Sequence, residues 1–320
     1  MKIFLKIVWY ILIFFLSTLS SIFSQQPNGK YTIVVHGGAG AMDPNIDESL
    51  KQAYLNSLSS ALQIGKEILE NEGSSLDAVE QVIRFLEDDS LFNAGRGAVF
   101  TSAGTNELDA SIMDGRDLSS GAVAGVTIIK NPISLARLVK EKTSHVLFAG
   151  KGADELGIQF GVEIVDPSYF FTQARYDELK RKYRNYKGTV GCVAIDQYGN
   201  IAAGTSTGGL TGKLPGRVGD SPIINAGTYA NNTTCGVSAT GTGELFIKNA
   251  ASYQVSVLMK FKNYSLKQAA EEVIFNILPK DSGGIICVDK DYDYEFAFNT
   301  TSMMRAVATS DGLFEIKIWK

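Results

Sequence analysis

Few residues in this chain have the types and spacing for nucleophilic chemistry, so each pattern can be tried in turn. Gly204-Thr205-Ser206-Thr207-Gly208 matches G-x-S-x-G, and His36-Gly37-Gly38 resembles the oxyanion loop that accompanies a serine nucleophile elbow. That pairing fails. An elbow must run into a helix, whereas Gly208 to Pro222 is studded with Gly and Pro. The triad histidine must also follow the serine, and both His36 and His145 precede it. A phosphate loop around Gly212-Lys213 fares no better, with Thr207 at the first glycine position and Leu214 after the lysine. Two histidines and three cysteines form neither HExxH nor C-x-x-C. What remains is Gly188-Thr189-Val190-Gly191. A threonine hydroxyl needs a base, and the nearest one here is its own α-amine, freed only by cutting the Gly188–Thr189 bond. The reference pKa of such an amine, about 7.7–8.0, leaves much of it neutral near neutral pH. The same hydroxyl can attack the preceding carbonyl, where Gly188 imposes least hindrance. These four residues also fit a threonine that merely opens a strand.

The elements around these residues can be read from the pattern. Tyr31 to Val35 is a β-branched run delivering the glycine loop His36-Gly-Gly-Ala-Gly40. Asp47 to Glu72 reads as a long helix ended by Gly73, and Ser74 or Ser75 caps a second over Leu76 to Glu87. Ala98 to Met113 and Gly121 to Ile129 read as strands, and Pro132 to Val139 and a segment near Ala153 as helices. Thr189 to Asp196 and Asn200 to Thr207 read as a hairpin. With Tyr198-Gly199 as a two-residue loop, Gln197 opposes Asn200, and Thr189 falls opposite Gly208, next to Thr207. Glu244 to Met259 and Ser265 to Leu278 read as helices, the latter with a Ser265-x-x-Gln268 capping box. Ile285 to Val288, Glu295 to Phe298 and Phe314 to Trp319 return to strands, so two sheets covered by helices, an α+β arrangement, are expected.

The 320 residues carry 30 basic and 34 acidic side chains, a net charge of −4 that gives no pull toward nucleic acid or anionic lipid. Lys2 and Lys6, an apolar run from Ile7 to Leu16 and a Ser-rich tail match a secretory signal peptide over residues 1–24. Ten apolar residues fall short of the roughly 20 that a spanning helix needs, although an uncleaved anchor is the competing reading. Cleavage after Ser24 would leave a secreted or periplasmic protein with a net charge of −6 and no membrane attachment. Of the three cysteines, Cys192 and Cys287 lie in apolar strand-like runs and are expected as buried free thiols, and four N-x-[ST] sequons, at Asn231, Asn232, Asn263 and Asn299, carry little weight alone.

Eight short motifs in one order decide between these readings: His36-Gly-Gly-Ala-Gly40, Leu91-Phe-Asn-Ala-Gly95, Glu107-Leu-Asp-Ala110, Met113-Asp-Gly115, Gly188-Thr-Val-Gly191, Ser206-Thr-Gly-Gly209, Leu214 to Pro222 and Thr240-Gly-Thr-Gly-Glu244. Through them the chain resembles the plant-type asparaginase/isoaspartyl aminopeptidase family of N-terminal-nucleophile hydrolases along its mature length. The resemblance implies a four-layer αββα sandwich, cut between Gly188 and Thr189 into an α chain, 25–188, and a β chain, 189–320. It implies that Thr189 is the nucleophile, that Thr207 hydrogen-bonds its hydroxyl, and that Asn93 helps orient its amine. Thr240 and the Gly241 amide would form the oxyanion hole. Arg217 and Asp220 would hold the substrate's α-carboxylate and α-amine, with Gly243 offering a carbonyl to that amine.

The resemblance further implies no catalytic cofactor, but a structural sodium ion on the backbone carbonyls of Leu86, Glu87, Asp89, Phe92, Ala94 and Arg96. It implies a small amino acid or dipeptide substrate and a dimer of αβ units. Asparagine and isoaspartyl dipeptides are favoured over glycosylated asparagine, because exported glycosylasparaginases carry aspartate where Gly188 stands. Taken singly, Arg217 and Asp220 could be a loop salt bridge, Thr240-Gly-Thr-Gly a helix start, Asn93 a turn cap, and His36 a structural histidine. The stretch from Phe171 to Gly188 is shorter than relatives of this kind lead one to expect, which could slow the cut. An uncleaved amino-acid-binding protein on the same fold is the rival class.

Overall fold

The computed structural model describes residues 26–181 and 188–320. The expected signal peptide, 1–24, and residues 182–187 of the segment preceding the threonine therefore lie outside the described residues. The first half supplies β1 (Thr32–Gly40), α1 (Glu48–Glu70), α2 (Ser75–Asp88), β2 (Leu108–Asp114), β3 (Ser120–Val126), α3 (Pro132–Lys142), β4 (Leu147–Ala149), α4 (Gly150–Phe160) and α5 (Gln173–Lys180). The second supplies β5 (Val190–Ile195), β6 (Ile201–Thr207), β7 (Thr228–Ala230), β8 (Cys235–Gly241), α6 (Gly243–Asn249), α7 (Ala251–Lys262) and α8 (Leu266–Glu271). It ends with β9 (Gly283–Asp289), β10 (Tyr294–Phe298), β11 (Ser302–Thr309) and β12 (Phe314–Trp319).

An eight-stranded sheet runs β12-β11-β1-β5-β6-β2-β3-β4, and a four-stranded sheet runs β10-β9-β8-β7. Alternation along the strands sends side chains to different layers. Ile33, Cys192 and Ala202 face α1, α2 and α3, whereas Val34, Val193 and Ala203 face the second sheet. On β8, Cys235, Val237 and Ala239 pack under α7 and α8, which leaves Ser238 and Thr240 on the face toward the large sheet. The result is an αββα sandwich, and the expected α+β class holds. All three cysteines are buried and free. No helix among the described residues is long and apolar enough to cross a membrane.

Local chemistry sets the element ends. Asp47 caps α1 by accepting from the amides of Ser49 and Leu50, and Ser74 caps α2 by accepting from Asp77. The Ser265–Gln268 capping box forms in both directions. Beyond Glu271 the turn continues as a π-helical segment, Glu272–Ile277.

Four details differ from the sequence pattern. The glycine loop after Val35 is strand: β1 runs through it with a bulge between His36 and Gly38, paired with a β11 that the pattern did not reveal. Residues 98–107 are not strand, because Thr101 closes a turn by bonding Thr105 through backbone and hydroxyl. The helix expected from Glu244 to Met259 breaks at Ala250, whose φ is 45°. The new helix start there spends its amides on the carbonyls of Asn225 and Ala226.

The fourth concerns the hairpin. It turns in three residues, Gln197-Tyr198-Gly199, with Gly199 at φ 74°. Val190 therefore pairs with Ser206, and Thr189 comes opposite Thr207 rather than Gly208. A one-residue slip would have turned one strand's side chains to the other face.

Candidate active site

Thr189 precedes β5 and is buried, with 6% of its surface exposed. Its hydroxyl donates to the Gly188 carbonyl at 2.8 Å and lies 3.2 Å from Thr207 Oγ1. Thr207, the last residue of β6, reaches the same carbonyl at 3.2 Å and accepts from the Gly209 amide at 2.9 Å. Asn93 completes the group from the loop after α2: its Nδ2 donates to Gly188 O at 2.8 Å and to Gly209 O at 2.7 Å. Its Oδ1 accepts from the Val99 amide. Three hydrogen-bond donors thus converge on one buried carbonyl immediately before a threonine. In the uncut chain the amide of Asn93 serves this carbonyl; the amine that it is expected to orient exists only after the cut.

Thr240 is fully buried on β8, where its Oγ1 accepts from the Ala39 amide at 3.2 Å. One lone pair is thereby occupied, and the hydroxyl proton remains to donate. Gly241 follows with φ 155° against Gly283, whose Cα would sit 2.8 Å from any added Cβ.

Arg217, Asp220 and Gly243 also come together. A Cβ on Gly243 would lie 2.8 Å from Asp220 Oδ1 and 3.0 Å from Arg217 Nη2, so only glycine leaves room. Arg217 does not pair with Asp220. Its Nε and Nη2 grip Glu244 at 2.9 and 3.0 Å, an arrangement that leaves both Nη1 hydrogens for another acceptor. Asp220 is buried with Oδ2 unpartnered, and that burial pushes its carboxyl from 3.8 up to about 7, against the pull of Arg217.

The sequence pattern missed three contributors. Glu244 looked like a helix start, yet it orients Arg217. Asp109 pairs across the sheet with Thr207 and is fully buried with Oδ2 unpartnered. Burial raises its pKa while Lys213 and Arg217 lower it. Lys213, whose pKa burial lowers, donates to Glu107 O at 2.8 Å and fills the space beside Gly209. The Glu107-Leu-Asp-Ala110 motif was the available signal for Asp109, but a lone buried acid has no periodicity to read.

Glu87 lies behind β6, accepting from Ser206 Oγ at 2.6 Å and from the Ile133 amide at 3.1 Å. Burial pushes it up to about 8, so it is largely neutral at pH 7. Its own carbonyl turns inward: a Cβ on Gly95 would be 2.2 Å from Glu87 O, and one on Gly97 would be 2.0 Å from Phe92 O. Leu86 belongs to the last turn of α2, whose final carbonyls lack helical partners. The carbonyls of Asp89 and Ala94 accept from Phe92 and Gly97 at 3.4 and 3.0 Å. Carbonyl oxygens are the ligands that a hard cation takes. Elsewhere, a hollow of about 770 Å³ between Met259, Tyr264, Asp289 and Tyr294 includes none of these residues.

Comparison with known proteins fits this geometry. The sequence model of the family described as Asparaginase matches residues 29–318. The chain belongs to that family. It is 46% identical to an isoaspartyl peptidase of Escherichia coli K12, over 87% of this chain and 92% of that protein. A plant-type L-asparaginase of Pyrococcus abyssi is 41% identical, over 86% and 95%. A Bos taurus protein called isoaspartyl peptidase/L-asparaginase is 39% identical, over 86% and 92%. The motif residues Asn93, Gly188, Thr189 and Thr207 meet at one carbonyl, and Arg217, Asp220, Gly243 and Glu244 gather in a second cluster, whereas Met113-Asp-Gly115 lies at the far end of β2 beside Ile201 and Asn232.

Proposed function

We propose that this protein is an isoaspartyl peptidase and L-asparaginase that activates itself by cutting between Gly188 and Thr189. The observation that carries the proposal is the buried Thr189 hydroxyl, 2.8 Å from its own preceding carbonyl oxygen and 3.2 Å from Thr207 Oγ1. In the first step Thr189 Oγ1 attacks the Gly188 carbonyl carbon. Negative charge grows on an oxygen that faces Asn93 Nδ2 and Thr207 Oγ1, donors already in place. The C–N bond breaks as the proton passes to nitrogen, leaving a Gly188 ester on Thr189 and a free α-amine. Water then releases the Gly188 carboxylate.

The freed amine serves as the base for the second reaction. It takes the Thr189 hydroxyl proton as oxygen attacks the side-chain carbonyl of asparagine or of a β-aspartyl peptide. Thr240 Oγ1, with one lone pair held by the Ala39 amide, donates to the oxyanion together with the Gly241 amide. The leaving amine departs with the proton, and water releases aspartate from the β-aspartyl ester. Arg217 Nη1 and Asp220 Oδ2 are the open charged groups for an α-carboxylate and an α-ammonium, the pair that asparagine and β-aspartyl dipeptides share. The Gly243 carbonyl adds a second acceptor for the ammonium.

The same reading assigns a structural sodium ion to the carbonyls of Leu86, Glu87, Asp89, Phe92, Ala94 and Arg96, a signal peptide to residues 1–24, and a dimer of αβ units. A melting temperature unchanged when sodium is replaced by choline would rule out the ion. A mature chain beginning at Met1 would rule out export by cleavage. A mass of one αβ unit in sedimentation would rule out the dimer.

The central test is the intact mass of the wild type beside Thr189→Ala, followed by assay of aspartate released from asparagine and from β-aspartyl dipeptides. Two chains, ending at Gly188 and starting at Thr189, are expected in the wild type alone. A single uncut chain in both proteins, with no aspartate formed, would replace the hydrolase with a protein that captures a small amino acid.

A further inference from the structure

We propose that His36 is a positioning residue for the nucleophile, holding the Thr189 carbonyl at the end of a buried run of hydroxyls that begins beside Asp220. The proposal rests on the hydrolase reading above. Thr189 lies outside both ladders of β5, two residues beyond the last pair with β1, His36 and Gly191, and one beyond the last pair with β6, Val190 and Ser206. A side chain takes the place of the missing strand: His36 Nδ1 stands 3.0 Å from Thr189 O.

A carbonyl can only accept, so Nδ1 carries the ring proton and Nε2 presents a lone pair. Ser238 Oγ, 3.0 Å from Nε2, must then donate to it. Ser238 also reaches Gly204 O at 3.1 Å, but its single proton is claimed by the imidazole. Its lone pairs accept from Thr205 Oγ1 at 2.7 Å and Thr205 from Thr228 at 2.6 Å, while Ser111 Oγ lies 2.8 Å from Thr228 Oγ1 and divides its single proton between that hydroxyl and a carbonyl. Ser111 Oγ lies 2.6 Å from the carbonyl of Ser221, the residue after Asp220. All five side chains are fully buried. Room for the junction comes from Gly191, where a Cβ would fall 2.0 Å from Ser238 Oγ and 2.3 Å from His36 Nε2.

The arrangement matters most after the cut. Thr189 is then a chain terminus, which frays unless tied down. Its amine and its hydroxyl-bearing side chain branch from the Cα that also carries the held carbonyl, so a turn of that carbonyl misplaces base and nucleophile together. The imidazole does this without adding charge, because its burial pushes the ring down to about 3. Self-cleavage, by contrast, acts on a carbonyl that Asn93 and Thr207 hold independently.

The test compares mature, two-chain wild type with His36→Asn, His36→Gln and Ser238→Ala, measuring kcat, KM and melting temperature. Asparagine can place an N–H near the Nδ1 position, whereas glutamine places one near Nε2. A nucleophile displaced by about 1 Å costs about a hundredfold. His36→Gln is therefore expected to lose about that much in kcat with KM little changed, while His36→Asn recovers most of it. Ser238→Ala is expected to fall between them, and it keeps the test open if a histidine variant does not fold. With His145 the only other histidine, ring nitrogen NMR reads the tautomer directly, and Nδ1–H is expected between pH 5 and 8. Equal kcat in the Asn and Gln variants, or an Nε2-protonated or charged ring at pH 5, would overturn the proposal. A wild type that releases no aspartate would instead overturn the hydrolase reading, while the NMR result still decides the tautomer.

Discussion

The side-chain amide of Asn93 stands 2.8 Å from the carbonyl oxygen of Gly188, on which negative charge must grow if Thr189 attacks its own peptide. Asn93→Asp keeps the acceptor for the Val99 amide but replaces this donor with an oxygen. Loss of one such donor slows a reaction by about 10²–10³-fold. The variant is therefore expected to accumulate as an uncut chain, with the half-time read by intact mass.

Thr189 carries both proposed reactions, so its variants separate them. Thr189→Ala should neither cut nor turn over. Thr189→Ser keeps a hydroxyl, loses the methyl group that restricts χ1, and should cut more slowly than wild type. Mass spectra taken over hours measure the first effect, and aspartate release by the matured fraction measures the second.

Arg217 has a different signature, because it touches neither Thr189 nor Gly188 among the contacts described. Arg217→Ala removes a charge-assisted bond of about 1.5–3 kcal/mol to the substrate carboxylate. A loss of roughly ten- to a hundredfold in kcat/KM follows, with maturation at the wild-type rate. Glu244→Gln should give a smaller loss, since the guanidinium keeps its charge and loses only its partner's. Normal asparagine hydrolysis by Arg217→Ala would remove Arg217 from the site.

The proposed role of Asp220 predicts pH-dependent binding. Burial holds its carboxyl at about 7 in place of 3.8, and only the ionised form attracts an ammonium. KM should fall as pH rises through about 7, a limb absent in Asp220→Asn. Stability runs the opposite way. Between the unfolded pKa near 3.8 and the folded value near 7, the native state keeps a proton that the unfolded chain has released, so stability declines as pH climbs. Glu87, raised from 4.5 to about 8, acts with the same sign. Asp220→Asn should therefore lessen the decline in melting temperature without abolishing it.

Gly191 is a packing prediction. A methyl group there would press on Ser238 and His36, both fully buried. Gly191→Ala should destabilise the protein by about 1–3 kcal/mol. Chemical denaturation would record this as a lower midpoint with unchanged slope.

Much of this protein was legible without coordinates, for physical reasons that act over short distances. Helix caps such as Ser74 and Ser265 bond their own neighbours, and Gly73 marked the end of α1. The ordered motifs around Thr189, Thr207, Arg217, Asp220 and Thr240 identified the family. The face on which Thr189 would lie was another matter. A hairpin loop of two residues or three differs by one step of register, and that step decides whether Thr189 meets Thr207 across the strands or Gly208.

Long-range partners were likewise invisible. Glu244 holds Arg217 across 27 positions, Ser238 meets His36 across 202, and β11 gives β1 the strand that its glycines concealed. Neither a buried acid such as Asp109 nor a bridging imidazole leaves a period in the sequence. The sequence alone narrowed the chemistry to a threonine whose proposed base is its own amine. The tertiary structure decided which carbonyls, hydroxyls and charges face that threonine, because two sheets must pack before their inner surfaces can meet.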